Sequence, residues 1–264
     1  MSTLCFRRFR SKHTELNKIY WTHRLGIEAI VARCRSSSPS SFIVNECGAP
    51  FQYNMLPLKA SELGAWADDY LGRSRLHILL VCAANLEAYL KEVTFVFLMA
   101  QGYASNASSL NPVGKAMGAP ILERNSLPDP LDYAEGLFQL NYGEAKKVWA
   151  KSYKLRCALA HNGGVVTART LREIPDIGIP INSSITVEWQ LLFDSLEAAD
   201  EIATATDQKV ASKTLKIAEI RKDLQYLKDA NNLPSRKELA KYLQSQYRLS
   251  DESKCKDLEY EFYW

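Results

Sequence analysis

The chain has 264 residues, 47% of them hydrophobic and 24% charged, a balance that fits a globular protein with its own core and excludes a fibrous or low-complexity one. A net charge of +3 is too small to mark a protein that coats nucleic acid through its charge alone. Six cysteines, scattered and without a C-x-x-C pair, argue against a disulfide scaffold and read as reduced thiols in a cytoplasmic protein.

Residues 1–35 are basic, carrying Arg7, Arg8, Arg10, Lys12, Lys18, Arg24, Arg33 and Arg35 against Glu15 and Glu28. No apolar run follows the first basic residues, so a secretory signal is not expected. The arm reads either as a phosphate-holding surface or as a solvated terminal helix. Leu16, Ile19, Tyr20, Leu25, Ile27 and Ile30 predict an amphipathic helix from about Thr14 to Arg33. Serine- and proline-rich residues 36–57 then break the pattern.

A second helical region is predicted from about Ala60 to Gln101, with a break at Gly72. Its second half is apolar on most sides, which places it in the centre of a bundle rather than in a membrane, because His77, Asn85, Glu87, Lys91 and Glu92 interrupt it. Glu87 is its prominent acid, either paired on a wet stripe or catalytic. Residues 102–130 read as loops with one short helix at most. Helices are expected again over 131–140 and 143–160, the latter stopped by Gly163 and Gly164. An extended piece, IGIPINSSI, comes next, then an amphipathic helix over 186–210. The tail predicts two helices, broken at Asn231–Pro234, the second started by a capping box of Ser235 and Glu238. Its aromatic, acidic end either packs back or meets a partner. The predicted fold is an all-α helical bundle with irregular loops, divided into a basic N-terminal helix and loop (1–56), a helical domain (57–211) and a helical C-terminal extension (212–264).

Most enzyme anchors are missing. There is no phosphate-binding G-x-x-x-x-G-K-[ST] loop, no dinucleotide fingerprint after a strand and no G-x-S-x-G elbow. The four histidines (His13, His23, His77 and His161) lack zinc-binding spacing, so neither metal nor cofactor is expected. One segment carries chemistry: KSYKLRCALAHNGGVV, residues 151–166, which sets Arg156 five residues before His161 near a helix end. RNA cleavage needs a base for the 2′-hydroxyl, an acid for the leaving 5′-oxygen and a cation for the transition state. Histidine titrates near neutrality and serves the first two; arginine supplies the third. Arg8 and His13 show the same spacing, so spacing alone does not select a site. Residues five apart also stand about 140° apart around a helix. Arg156 and His161 therefore converge only if the last turn frays, if the arginine wraps round, or if two copies of the helix meet.

LRCALAHNGGVV resembles the R-x4-6-H hallmark of the HEPN superfamily, and its HNGGVV end resembles the RiboL-PSP type. NLEAYLKEV (85–93) is similar to that type's early core helix, and residues 177–210 to its closing turn and last helix, so the resemblance spans about 60–210. It implies a HEPN-like helical domain and metal-independent endonucleolytic cleavage of RNA, with Arg156 and His161 catalytic. It also implies a homodimer joined through the motif helices and use as a toxin or antiphage effector, with an antitoxin or regulatory protein as partner. Cys157 departs from the polar residue frequent after the motif arginine. Gly163 stands where one branch carries a modifiable tyrosine. Tyr153, Asn162, Glu87, Arg169 and Arg172 are candidate supporting or substrate-binding residues, each with a packing, capping or surface role as its alternative. The alternative function is a non-catalytic module of this type that binds RNA or a protein as scaffold, antitoxin or sensor.

Overall fold

The computed structural model describes residues 2–43, 58–102 and 130–264. The fold is all-α. Nine α-helices are found among these residues: α1 (Leu4–Cys34), α2 (Leu63–Ala100), α3 (Pro130–Phe138), α4 (Gly143–Asn162), α5 (Ala168–Glu173), α6 (Trp189–Val210), α7 (Lys213–Asp229), α8 (Leu239–Tyr247) and α9 (Glu252–Tyr263). Among the described residues, extended pairing is limited to two isolated bridges, Phe42 with Lys59 and Val165 with Ser184. Among the described residues, no helix is long and apolar enough to cross a membrane. The predicted loops at 44–57 and 103–129 lie outside the described residues.

The chain forms two compact units, each discontinuous in sequence. The first comprises Met1–Arg10, Glu87–Tyr142 and Ile202–Trp264. Its core gathers Ile220, Leu224, Leu239, Leu243, Tyr247, Leu249, Leu258 and Phe262, so the aromatic tail packs back on α7 and α8. Phe6 and Phe9 lie against Tyr89, with ring centroids 6.2 and 5.4 Å away. The Tyr89 hydroxyl donates to the Ala203 carbonyl at 3.1 Å.

Three elements of this unit differ from expectation. Helix α1 begins ten residues earlier than predicted, because acids distant in sequence satisfy its first N–H groups. Asp207 accepts from the Thr3 N–H (2.9 Å) and hydroxyl (2.6 Å), and Glu219 from the N–H groups of Leu4 (2.9 Å) and Cys5 (2.8 Å). The tail forms three helices rather than two. Arg248, in the left-handed region at φ 52°, ends α8, and the Asp251 carboxylate starts α9 by accepting from the Lys254 N–H at 3.2 Å. The Ser235–Glu238 pair forms at 2.6 Å but shapes the turn before α8, which starts at Leu239.

The second unit comprises Ser11–Leu86 and Gly143–Glu201. Ile27, Ala67 and Leu71 form one small core and Cys34, Ile43 and Leu63 another, both backed by Trp66. Gly72 does not break α2. It is buried in mid-helix where the chain before α6 crosses: the Val187 N–H reaches the Gly72 carbonyl at 3.3 Å, and a Cβ there would meet Thr186 Cβ at 3.0 Å. The glycine signal read as a break is a close approach of two backbones. Helices α4 and α6 are joined by the buried hydroxyls of Ser152 and Ser195, 2.6 Å apart.

Candidate functional site

Helix α4 carries the motif. Ala145, Trp149 and Ser152 recur at four- and three-residue spacing and are buried, which makes one stripe the inner face. Arg156 is the next residue of that stripe, hence its half-buried position. Lys147, Ala150, Lys154 and His161 lie on the exposed side. The helix remains regular through Asn162, so its last turn does not fray. The Arg156 guanidinium lies over the Tyr153 ring, 5.3 Å from its centroid and one turn back toward the N-terminus, and one of its nitrogens is 3.9 Å from Cys157 Sγ. Helical side chains lean that way, and here the lean carries the arginine away from His161. Neither a frayed last turn nor a wrapped arginine brings Arg156 and His161 together within one chain.

The helix stop follows the sequence. Gly163 (φ 60°) and Gly164 (φ 76°) take left-handed conformations, and the Val165 N–H closes on the Asn162 carbonyl at 3.1 Å. Asn162 acts here through its backbone; its side chain makes no hydrogen bond to His161. The chain then pairs with the expected extended segment: the Ile185 N–H reaches the Gly164 carbonyl at 2.7 Å, and the Val166 N–H the Ser183 carbonyl at 2.9 Å. This pairing sets the end of α4 beside the start of α6.

Six of the seven candidate residues (Tyr153, Arg156, His161, Asn162, Arg169 and Arg172) belong to this unit, and Glu87 belongs to the other. Tyr153 is buried beneath Arg156. Arg169 is tied to Glu173 at 2.7 Å, whereas Arg172 is exposed with no acidic partner among the described residues. The other pair with this spacing, Arg8 and His13, has different surroundings. Arg8 is held by Glu92 (2.8 Å) and Asp223 (2.6 Å) within the first unit, and His13 is buried.

Comparison with protein-family models, with curated proteins and with solved structures gave no match.

The fold brings in residues that the sequence reading passed over. Lys151 pairs with Asp176 at 2.6 Å and Lys154 donates to the Glu173 carbonyl at 2.9 Å, fixing the short helix α5 against α4. At the end of the unit where α6 starts, Trp189 stacks on the buried Tyr20 (5.0 Å, 12° between planes) and meets Trp21 (5.3 Å) and Phe193 (6.0 Å). Arg75 holds this cluster from below, donating to the Tyr20 hydroxyl and the Val187 carbonyl, each at 3.1 Å. Trp21 and Trp189 stand far apart in sequence, and no local pattern announces their contact. Among the described residues, no three His, Cys, Asp or Glu side chains gather as a metal-binding set.

Proposed function

We propose that this chain is a metal-independent endoribonuclease of HEPN type whose active site is completed by a second copy of itself. The observation that supports the reading is the division of Arg156 and His161 between the inner and outer sides of one regular helix that ends at a surface. Five residues span about 7.5 Å along a helix. Two antiparallel α4 helices crossing near the middle of the motif would therefore set each arginine level with the other copy's histidine.

In such a pair His161 takes the proton from the 2′-hydroxyl, which attacks the adjacent phosphorus. Arg156 offsets the charge that builds on the non-bridging oxygens. The proton returns to the departing 5′-oxygen. The products are a 2′,3′-cyclic phosphate and a 5′-hydroxyl. An enzyme of this kind acts on cytoplasmic RNA as a toxin or antiphage effector, under restraint by an antitoxin or other regulatory protein.

The test is incubation of purified wild-type and His161→Ala protein with total and transfer RNA in EDTA, followed by end-group analysis. Cleavage by the wild type alone, with cyclic phosphate ends, is the expected result. Cleavage by His161→Ala at the wild-type rate would overturn the assignment. One observation favours a second reading, a non-catalytic module that binds RNA or protein: the half-buried Arg156 is already engaged with Tyr153 and Cys157. Binding of RNA without cleavage by either protein would select it.

A further inference from the structure

A cleft of about 740 Å³ lies within the first unit, lined by α7, α9, the connection between α8 and α9 and the end of α2. Its volume falls in the range of small-ligand sites. Met99, Ile217, Ala218, Leu249 and Leu258 give it an apolar floor.

The charges around it do not cancel. Three acids line the cleft, and each is engaged: Asp251 caps α9, Asp257 pairs with Lys254 at 3.2 Å and Glu261 with Arg221 at 2.8 Å. Three cations, Lys213, Lys216 and Arg248, have no acidic partner among the described residues. All three line the cleft. Lys213 and Lys216 are one turn apart on α7, and the Lys216 ammonium donates to the Arg248 carbonyl at 3.3 Å. Cations that edge an apolar floor suit a ligand that is anionic at one end and apolar at the other.

We propose that the cleft binds a nucleoside monophosphate, with the phosphate on Lys213, Lys216 and Arg248 and the base on the apolar floor. The polar groups within the cleft favour a nucleoside over an alkyl phosphate. The hydroxyls of Thr214 and Ser250 at the cleft offer partners to ribose hydroxyls, which an alkyl chain lacks.

Titration calorimetry of the full chain tests this with AMP, adenosine and inorganic phosphate as probes. AMP binds; adenosine and phosphate each bind at least about tenfold more weakly, since each lacks half of the recognition. The double variant Lys213→Ala, Arg248→Ala alters side chains exposed to solvent. It keeps the wild-type unfolding midpoint and loses AMP affinity by about tenfold or more. His161→Ala leaves AMP binding unchanged, because no residue of the motif lines the cleft. Failure of AMP to bind, equal binding of AMP and adenosine, equal binding of AMP and phosphate, or full affinity in the double variant overturns the proposal.

Discussion

Two buried carboxylates, Asp207 and Glu219, cap the start of α1. The two oxygens of Glu219 accept the N–H groups of Leu4 and Cys5, and the side chain is almost fully enclosed. The same carboxylate, after burial itself, pushes the Cys5 thiol well above its ordinary range. Glu219→Ala leaves two backbone donors with no acceptor, which costs about 1–3 kcal/mol. Urea unfolding of the variant should show that loss as a lower midpoint, and an unchanged midpoint would mean that water replaces the carboxylate. Glu92 adds a pH dependence. Burial acts to raise its carboxyl, but Lys222 and Arg8 outweigh burial and hold it below the ordinary carboxylate range. A depressed folded value means stability that is present above the unfolded value of about 4.3 and lost as pH falls through the folded one. The gap in urea midpoint between wild type and Glu92→Gln should therefore be widest near pH 7 and shrink below pH 4. These anchors link residues more than 80 positions apart, so no window of the sequence displays them.

At the scale of the element, α2 shows where sequence patterns succeed and where they stop. Its apolar run reads directly as a central helix, and the structure gives one helix of 38 residues. Gly72 reads as a break because glycine weakens an isolated helix, while its partner, Thr186, lies more than 100 positions away. Gly72→Ala gains helix propensity but drives a methyl to 3.0 Å from Thr186 Cβ, and packed backbone cannot yield cheaply. The clash outweighs the gain and leaves a net loss of about 1 kcal/mol. Thr186→Gly in the same background should restore most of it in thermal melts; if Gly72→Ala alone is neutral, the contact is slack. Helix α4 behaves differently. Its start, inner stripe and glycine stop are all local, so the helix and the positions of Arg156 and His161 on it were legible. The lean of Arg156 onto Tyr153 was not, because a rotamer depends on what surrounds it.

At the scale of the whole molecule, one copy of α4 leaves the proposed chemistry incomplete, and this gives the sharpest test of the proposed function. If Arg156 of one copy works with His161 of another, the two inactivating substitutions complement each other. Arg156→Ala and His161→Ala proteins are each expected to be inactive alone. In a mixed dimer one composite site inherits the intact arginine from the His161→Ala copy and the intact histidine from the Arg156→Ala copy. The second site inherits neither. Random mixing of equal amounts makes half of all dimers mixed, each with one of its two sites intact, so activity should return to about a quarter of wild type. If both residues of a site came from one chain, every site in the mixture would lack one of them and activity would stay at the level of the single variants. Mixing after brief unfolding and refolding ensures exchange, and sedimentation velocity on the same sample reports whether dimers form. Dimers without recovered cleavage would reject the shared site while leaving dimerisation intact, and monomers throughout would reject both.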